Sequence, residues 1–165
     1  MNPIVMAILF LLAASASNEQ LAREGKIRED ASVKASAEIT IYAPAEKVWQ
    51  VLTDVKDWPR WQPDISTTEI HGPLEAGTTF SWTTGGTRIE SRIALVEPYA
   101  QFAWTGKAFG AKAIHVWKLQ RLSADQTLVK TDESMDGFLL KIFYSSKKLE
   151  ETDRRWLDRL KAASE

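Results

Sequence analysis

FLLKIFYSSKKLEETDRRWLDRLKA, residues 138–162, is the stretch whose reading decides the fold. Apolar or small residues recur at Phe138, Ile142, Ser145, Leu149, Thr152, Trp156 and Leu160. That spacing of three and four keeps them on one face of a helix. Lys147, Lys148, Glu150, Glu151, Arg154, Arg155 and Asp158 take the opposite face, which belongs in water. Gly137 precedes the stretch and no proline follows Pro98, so the pattern predicts one uninterrupted amphipathic helix from Phe138 to Ala162. Ser145 and Thr152 are small and polar where a helix that only plugged a core would carry Leu or Ile. They face either a close neighbour or an internal space.

Upstream, the pattern is of strands. Ser32 to Tyr42 alternates strictly, with Val33, Ala35, Ala37, Ile39 and Ile41 on one face, and predicts a half-buried strand. Pro44 and Glu46 open a helix whose buried side is Val48, Trp49, Val51 and Leu52. The proline-rich run Asp57 to Pro63 allows a second, short helix. From Ile65 onward the period is two. The expected strands are Ile65 to His71, Thr78 to Thr84, Thr87 to Glu97, Gln101 to Gly106, Ala111 to Leu122 and Thr127 to Met135. The separators are short and turn-like, so neighbouring strands must be antiparallel. Gly85-Gly86 is one such turn and not a phosphate loop, since no helix follows it. Gly106 to Gly110, around Phe109, reads as a loop at the mouth of a cavity or as an ordinary hairpin loop. A curved antiparallel sheet with a long helix on one face is a two-layer α+β sandwich.

The register of the last hairpin follows from its turn. With Arg121 opposite Thr127, Leu119 faces Val129, Trp117 faces Thr131 and His115 faces Glu133, all on the helix side. Lys112, Lys118, Gln120, Lys130 and Asp132 mark the other side as the one facing solvent. His115 and Glu133 then have three readings: a satisfied polar pair, polar anchors for a ligand in an apolar pocket, or a proton-transfer pair. No nucleophile or oxyanion donor stands near them in sequence, and one His with one Glu is a poor metal set, so no catalytic or metal site is assigned. Phe80 and Trp82 share a face, as do Phe102 and Trp104; they are core, or the walls of a cavity for a flat, greasy ligand. The candidate ligand-binding set is Phe80, Trp82, Trp104, His115, Trp117, Thr131 and Glu133 from the sheet, with Ile142, Ser145, Leu149 and Thr152 from the helix. Phe138, Ile142 and Leu149 would floor the pocket.

At 165 residues the chain fits one domain with a real core. A net charge of −1 and no basic cluster give no reason to expect a nucleic-acid partner. The absence of cysteine excludes disulfides, thiolate catalysis and thiolate metal sites. Pro3 to Ala14 is apolar and is followed by Ala14-Ser15-Ala16, which resembles a cleavage site. Residues 1–16 are therefore expected to be a signal peptide or an N-terminal membrane tether, which places the protein outside the cytosol or on a membrane if the segment is a genuine signal and in the cytoplasm otherwise. Residues 17–31 are charged and read as a linker or short surface helix, which leaves 32–163 as the domain.

The run Ala43 to Trp49, then Asp54 and Asp57-Trp58-Pro59-Arg60-Trp61-Gln62-Pro63, resembles the polyketide cyclase/dehydrase-like branch of the START-like (SRPBCC) superfamily. His115 to Leu119, Thr127 to Val129 and Glu133 to Gly137 match the later part of the same pattern. The resemblance spans about residues 32 to 162. It implies a helix-grip fold, with a seven-stranded antiparallel sheet wrapped round the C-terminal helix and a cavity between them. It also implies ligands such as lipids, sterols or polyketides, and in some members a cyclisation or dehydration. It carries over no catalytic residue and no cofactor. The reading adopted is binding, with or without transport, of a hydrophobic small molecule. The alternative is a cyclase-type enzyme using His115 and Glu133 for proton transfer, and a partner-binding module comes third.

Overall fold

The computed structural model describes residues 16–165. The expectation for residues 1–16 falls almost wholly outside them. Seven strands form one antiparallel sheet in the order β1-β7-β6-β5-β4-β3-β2. They are β1 (Val33–Ile41), β2 (Ile65–Ile70), β3 (Thr79–Thr84), β4 (Thr87–Glu97), β5 (Gln101–Ala108), β6 (Ala111–Ser123) and β7 (Gln126–Asp136). Between β1 and β2 lie α2 (Ala45–Thr53), a 3₁₀ turn (Val55–Asp57) and α3 (Trp58–Trp61), following α1 (Asn18–Arg23) near the N-terminus. The chain closes with α4 (Leu140–Phe143) and α5 (Ser146–Ser164). The sheet grips α5: this is the helix-grip fold.

Turn chemistry fixes the hairpins. Gly85 and Gly86 both have positive φ, 54° and 77°, as a two-residue turn matching the strand twist requires. Phe109 and Gly110 repeat this at 47° and 77°, so the expected loop at residues 106–110 is a tight turn between paired Ala108 and Ala111. The β6–β7 register is the expected one, with His115 opposite Glu133 and Trp117 opposite Thr131.

The C-terminal stretch departs from the single-helix expectation. Tyr144 and Ser145 are extended, with φ/ψ of −140°/138° and −120°/158°, and they separate α4 from α5. Two serines cause the break. Ser145 Oγ accepts the Lys148 N–H at 3.2 Å and caps α5, while Ser146 Oγ accepts the Lys34 N–H at 3.1 Å and ties the helix start to β1. Ser145 is thus an exposed cap and no member of a buried stripe. Phe138 and Ile142, expected on the pocket floor, are 99% and 70% exposed. The buried stripe of α5 is Leu149, Asp153, Trp156, Leu157, Leu160 and Ser164. Its far end is pinned by Lys161 Nζ on Thr40 O at 2.9 Å and by Arg159 on Asp64 at 2.7 Å and on Gln62.

Residues 17–31 are packed against the sheet. Leu21, Ala22 and Ile27 lie on Ala94, Ala103, Ile114 and Val116, on the face away from α5. Part of the face expected to meet solvent is therefore covered.

Candidate ligand-binding site

The space between α5 and the sheet is filled with aromatic rings. Trp58 from α3 meets Phe80, Trp104 and Trp156 at centroid distances of 5.7, 5.6 and 5.2 Å. Phe80, Trp104 and Trp117 are buried at 0–2% exposure, so these three expected cavity walls are packed core. Trp82 is half-buried, and its indole N–H donates to Ser91 Oγ at 3.1 Å.

One polar cluster sits in this cage. His115 is flanked by Trp104 and stacked on Trp117, at 4.6 and 5.1 Å. Its Nε2 lies 2.7 Å from Thr131 Oγ1, and its Nδ1 lies 3.6 Å from Glu133 Oε2. Asp153, from the middle of α5, brings a second carboxylate to 3.9 Å from Nε2. His115, Thr131 and Glu133 thus come together as expected, and Asp153 joins them unforeseen. Leu149 is buried on the same helix face. Thr152 is half-buried and turned to its own surroundings: it donates to Lys148 O at 3.0 Å and bonds the Tyr144 hydroxyl at 3.2 Å.

Burial dictates the protonation states. It drives the His115 pKa down to about 3, so the imidazole is neutral at physiological pH. Burial, and then the neighbouring Asp153 charge, hold the Glu133 carboxyl well above the usual range. Burial pushes Asp153 up to about 7. Two adjacent carboxyls in a low-dielectric interior cannot both ionise cheaply, so they keep a proton between them. The same three side chains present ligand atoms within 4.8 Å of one another and could close on a divalent cation in place of that proton.

The cluster is incompletely satisfied. Among the described residues, neither Asp153 oxygen meets an N–H or O–H donor other than a carboxyl proton, and the Trp117 indole N–H has no acceptor. Such orphans in an apolar interior are costly unless something else partners them. The cluster is not wholly sealed from solvent. The Glu133 side chain keeps 14% of its surface exposed, and the next inward pair along the strands, Ala113 and Met135, is half-buried.

The sequence profile of the family described as polyketide cyclase/dehydrase and lipid transport matches residues 32–165. No curated protein matches the sequence. Among solved structures, a hypothetical protein of Helicobacter pylori (jhp0584) aligns with TM-score 0.74 at 24% identity, covering 83% of this chain and 90% of that one. A START superfamily protein of Mycobacterium smegmatis gives 0.60 at 17% identity, covering 79% and 92%. The Zhui aromatase/cyclase of Streptomyces sp. R1128 gives 0.58 at 19%, covering 79% and 87%. At these identities the likeness is one of fold.

Proposed function

Because the chain belongs to the polyketide cyclase/dehydrase and lipid transport family, we propose that it binds a hydrophobic small molecule bearing a carbonyl or hydroxyl group, of the lipid, sterol-like or polyketide kind. The apolar body would lie between α5 and the sheet, with its polar group on the His115–Glu133–Asp153 cluster. The observation that carries this reading is that, within the cluster, the Asp153 oxygens have no partner beyond the carboxyl proton and the Trp117 N–H has none among the described residues. A carbonyl oxygen would accept the Trp117 N–H or the proton shared by the two carboxyls, and a hydroxyl would donate to Asp153. The aromatic cage supplies contact area on every other side. Accommodation requires Trp156 or α5 to yield, since the rings fill that interior.

Native mass spectrometry of the purified protein tests this. The expected result is a retained apolar compound with at least one oxygen function. If nothing is retained and no apolar probe binds, the reading fails.

A second reading rests on the shared proton. A carboxyl pair holding a proton near pH 7 beside a neutral imidazole can deliver a proton to a bound carbonyl oxygen and take one from the adjacent carbon, as an enolisation or cyclisation needs. Turnover of a polyketide-like substrate that is unchanged in Glu133→Gln would exclude that role for the pair.

A further inference from the structure

We propose that the end of the molecule formed by the β5–β6 turn and α4 docks on an anionic lipid surface. Five large apolar side chains are exposed there: Phe109 by 94%, Phe138 by 99%, Leu139 by 53%, Ile142 by 70% and Phe143 by 73%. Isolated exposed apolar residues are ordinary, but a group of this size marks an interaction site. The two segments are neighbours, because a Cβ on Gly137 would stand 3.0 Å from the Ala111 Cα. Phe109 is the odd choice within the patch. Its left-handed φ suits Asn or Gly, its side chain buries nothing, and neither backbone nor packing accounts for a phenylalanine at that tip.

The charges around the patch indicate the occupant. Lys107, Lys112, Lys147 and Lys148 are exposed around it, and no Asp or Glu occurs from Pro98 to Ala124 or from Gly137 to Leu149. Lys107, Lys112 and Lys147 have no ion-pair partner among the described residues. The acids opposite in the strands are occupied: Glu90, across from Lys107, pairs with Arg88, and Asp136, across from Lys112, accepts from Ser32. An apolar tip within a basic collar is complementary to acyl chains beneath anionic headgroups. A second copy of the chain fits less well, since a two-fold contact would bring the lysine collars together. The chain path agrees: Asn18 and Glu19 border the same groove as Lys107, Lys112 and Ala113, so the sequence upstream, with its apolar run Pro3 to Ala14, joins the described part at this end.

The chain has no cysteine, which permits a clean probe. Phe109→Cys in the full chain, labelled with a polarity-sensitive fluorophore, is mixed with phosphatidylcholine vesicles with and without phosphatidylglycerol. Asp125→Cys, in the β6–β7 turn at the opposite end, is the control. The label at 109 should shift to the blue and escape an aqueous quencher only with the anionic vesicles, and the label at 125 should do neither. In unlabelled protein, Phe109→Asn with Phe138→Ser and Ile142→Ser should weaken partitioning by about tenfold or more. Phe109→Asn alone creates the Asn-Gly turn preferred in such hairpins, so the fold survives and part of the loss remains. A 109 label that stays aqueous while the chain binds vesicles through residues 3–14 would overturn the proposal. So would a shift that needs protein concentration and no lipid, which would make the patch an interface between copies.

Discussion

At pH 8 the Asp153→Asn protein should unfold at a higher temperature than the native chain, by several degrees and up to on the order of 10 °C. Asp153 is fully buried on α5 and its pKa is raised by that burial from 3.8 to about 7. A carboxyl with a raised folded pKa keeps its proton on folding and loses it on unfolding between those two pH values. Stability is therefore intact at low pH, falls as pH rises through this window, and stays reduced above it. The full loss is on the order of 4 kcal/mol for a group shifted this far. Glu133 acts in the same direction. His115 acts oppositely: its folded pKa is depressed to about 3 from 6.5, so its contribution is complete above about 6.5 and is lost as pH falls towards 3. Between about pH 4.5 and 6.5 the two carboxyls outweigh the imidazole, and above that they act alone. The stability maximum should thus lie on the acidic side of neutrality, with the steepest decline near pH 7. Asparagine cannot ionise, and its amide can donate to Glu133, so the variant should flatten the decline. Thermal melts from pH 4 to 9 check this, and identical slopes for the two proteins would remove Asp153 from the account.

Trp58→Ala should be the most damaging single change in the core. Trp58 is 0% exposed, touches Phe80, Trp82, Trp104 and Trp156, and donates its indole N–H to Leu52 O at 2.9 Å. Truncating a buried tryptophan costs about 3–5 kcal/mol through lost transfer energy and the cavity left behind. The aromatic contacts and an unpaired carbonyl add to that. Against a total stability of about 5–15 kcal/mol, the variant should be marginally folded at 37 °C. Denaturant unfolding with near-ultraviolet circular dichroism measures it, and a loss below about 1 kcal/mol would mean that the ring cluster is not the structural centre.

Most of the sheet is legible in the sequence because half-burial imposes a period of two, and short turns leave antiparallel pairing as the sole geometry. The His115–Glu133 pairing follows from the β6–β7 turn alone. The helix is harder. Phe138, Leu139, Ile142 and Phe143 are apolar without being buried, so their pattern mimics a core stripe and runs on into α5. Carrying that phase across Tyr144–Ser145 put Thr152 on the inner face and hid Asp153 one residue away. The signal that could have corrected it was Ser145-Ser146 directly before the charged run, an N-cap pattern. Asp153 itself gives no warning, being one acid among several on a charged helix. It is recognisable only once Leu149, Trp156 and Leu160 set the phase. The packing of α1 on the sheet, beyond the linker or short surface helix expected there, is hidden for a related reason, since its few apolar residues, Leu21, Ala22 and later Ile27, sit among charges. The sheet did carry the complementary clue: Ile114 and Val116 alternate with His115 and Trp117, an apolar run that two-sided burial explains.

The central claim is that the His115–Glu133–Asp153 cluster holds the polar group of an otherwise apolar ligand. The most direct measurement is the affinity of the native chain for a matched pair of apolar probes, one carrying a ketone and the other a methylene at the same position. The cluster's buried donors should favour the ketone by at least about tenfold at pH 6, where the carboxyl proton is present. Equal affinity for the two probes would contradict the claim.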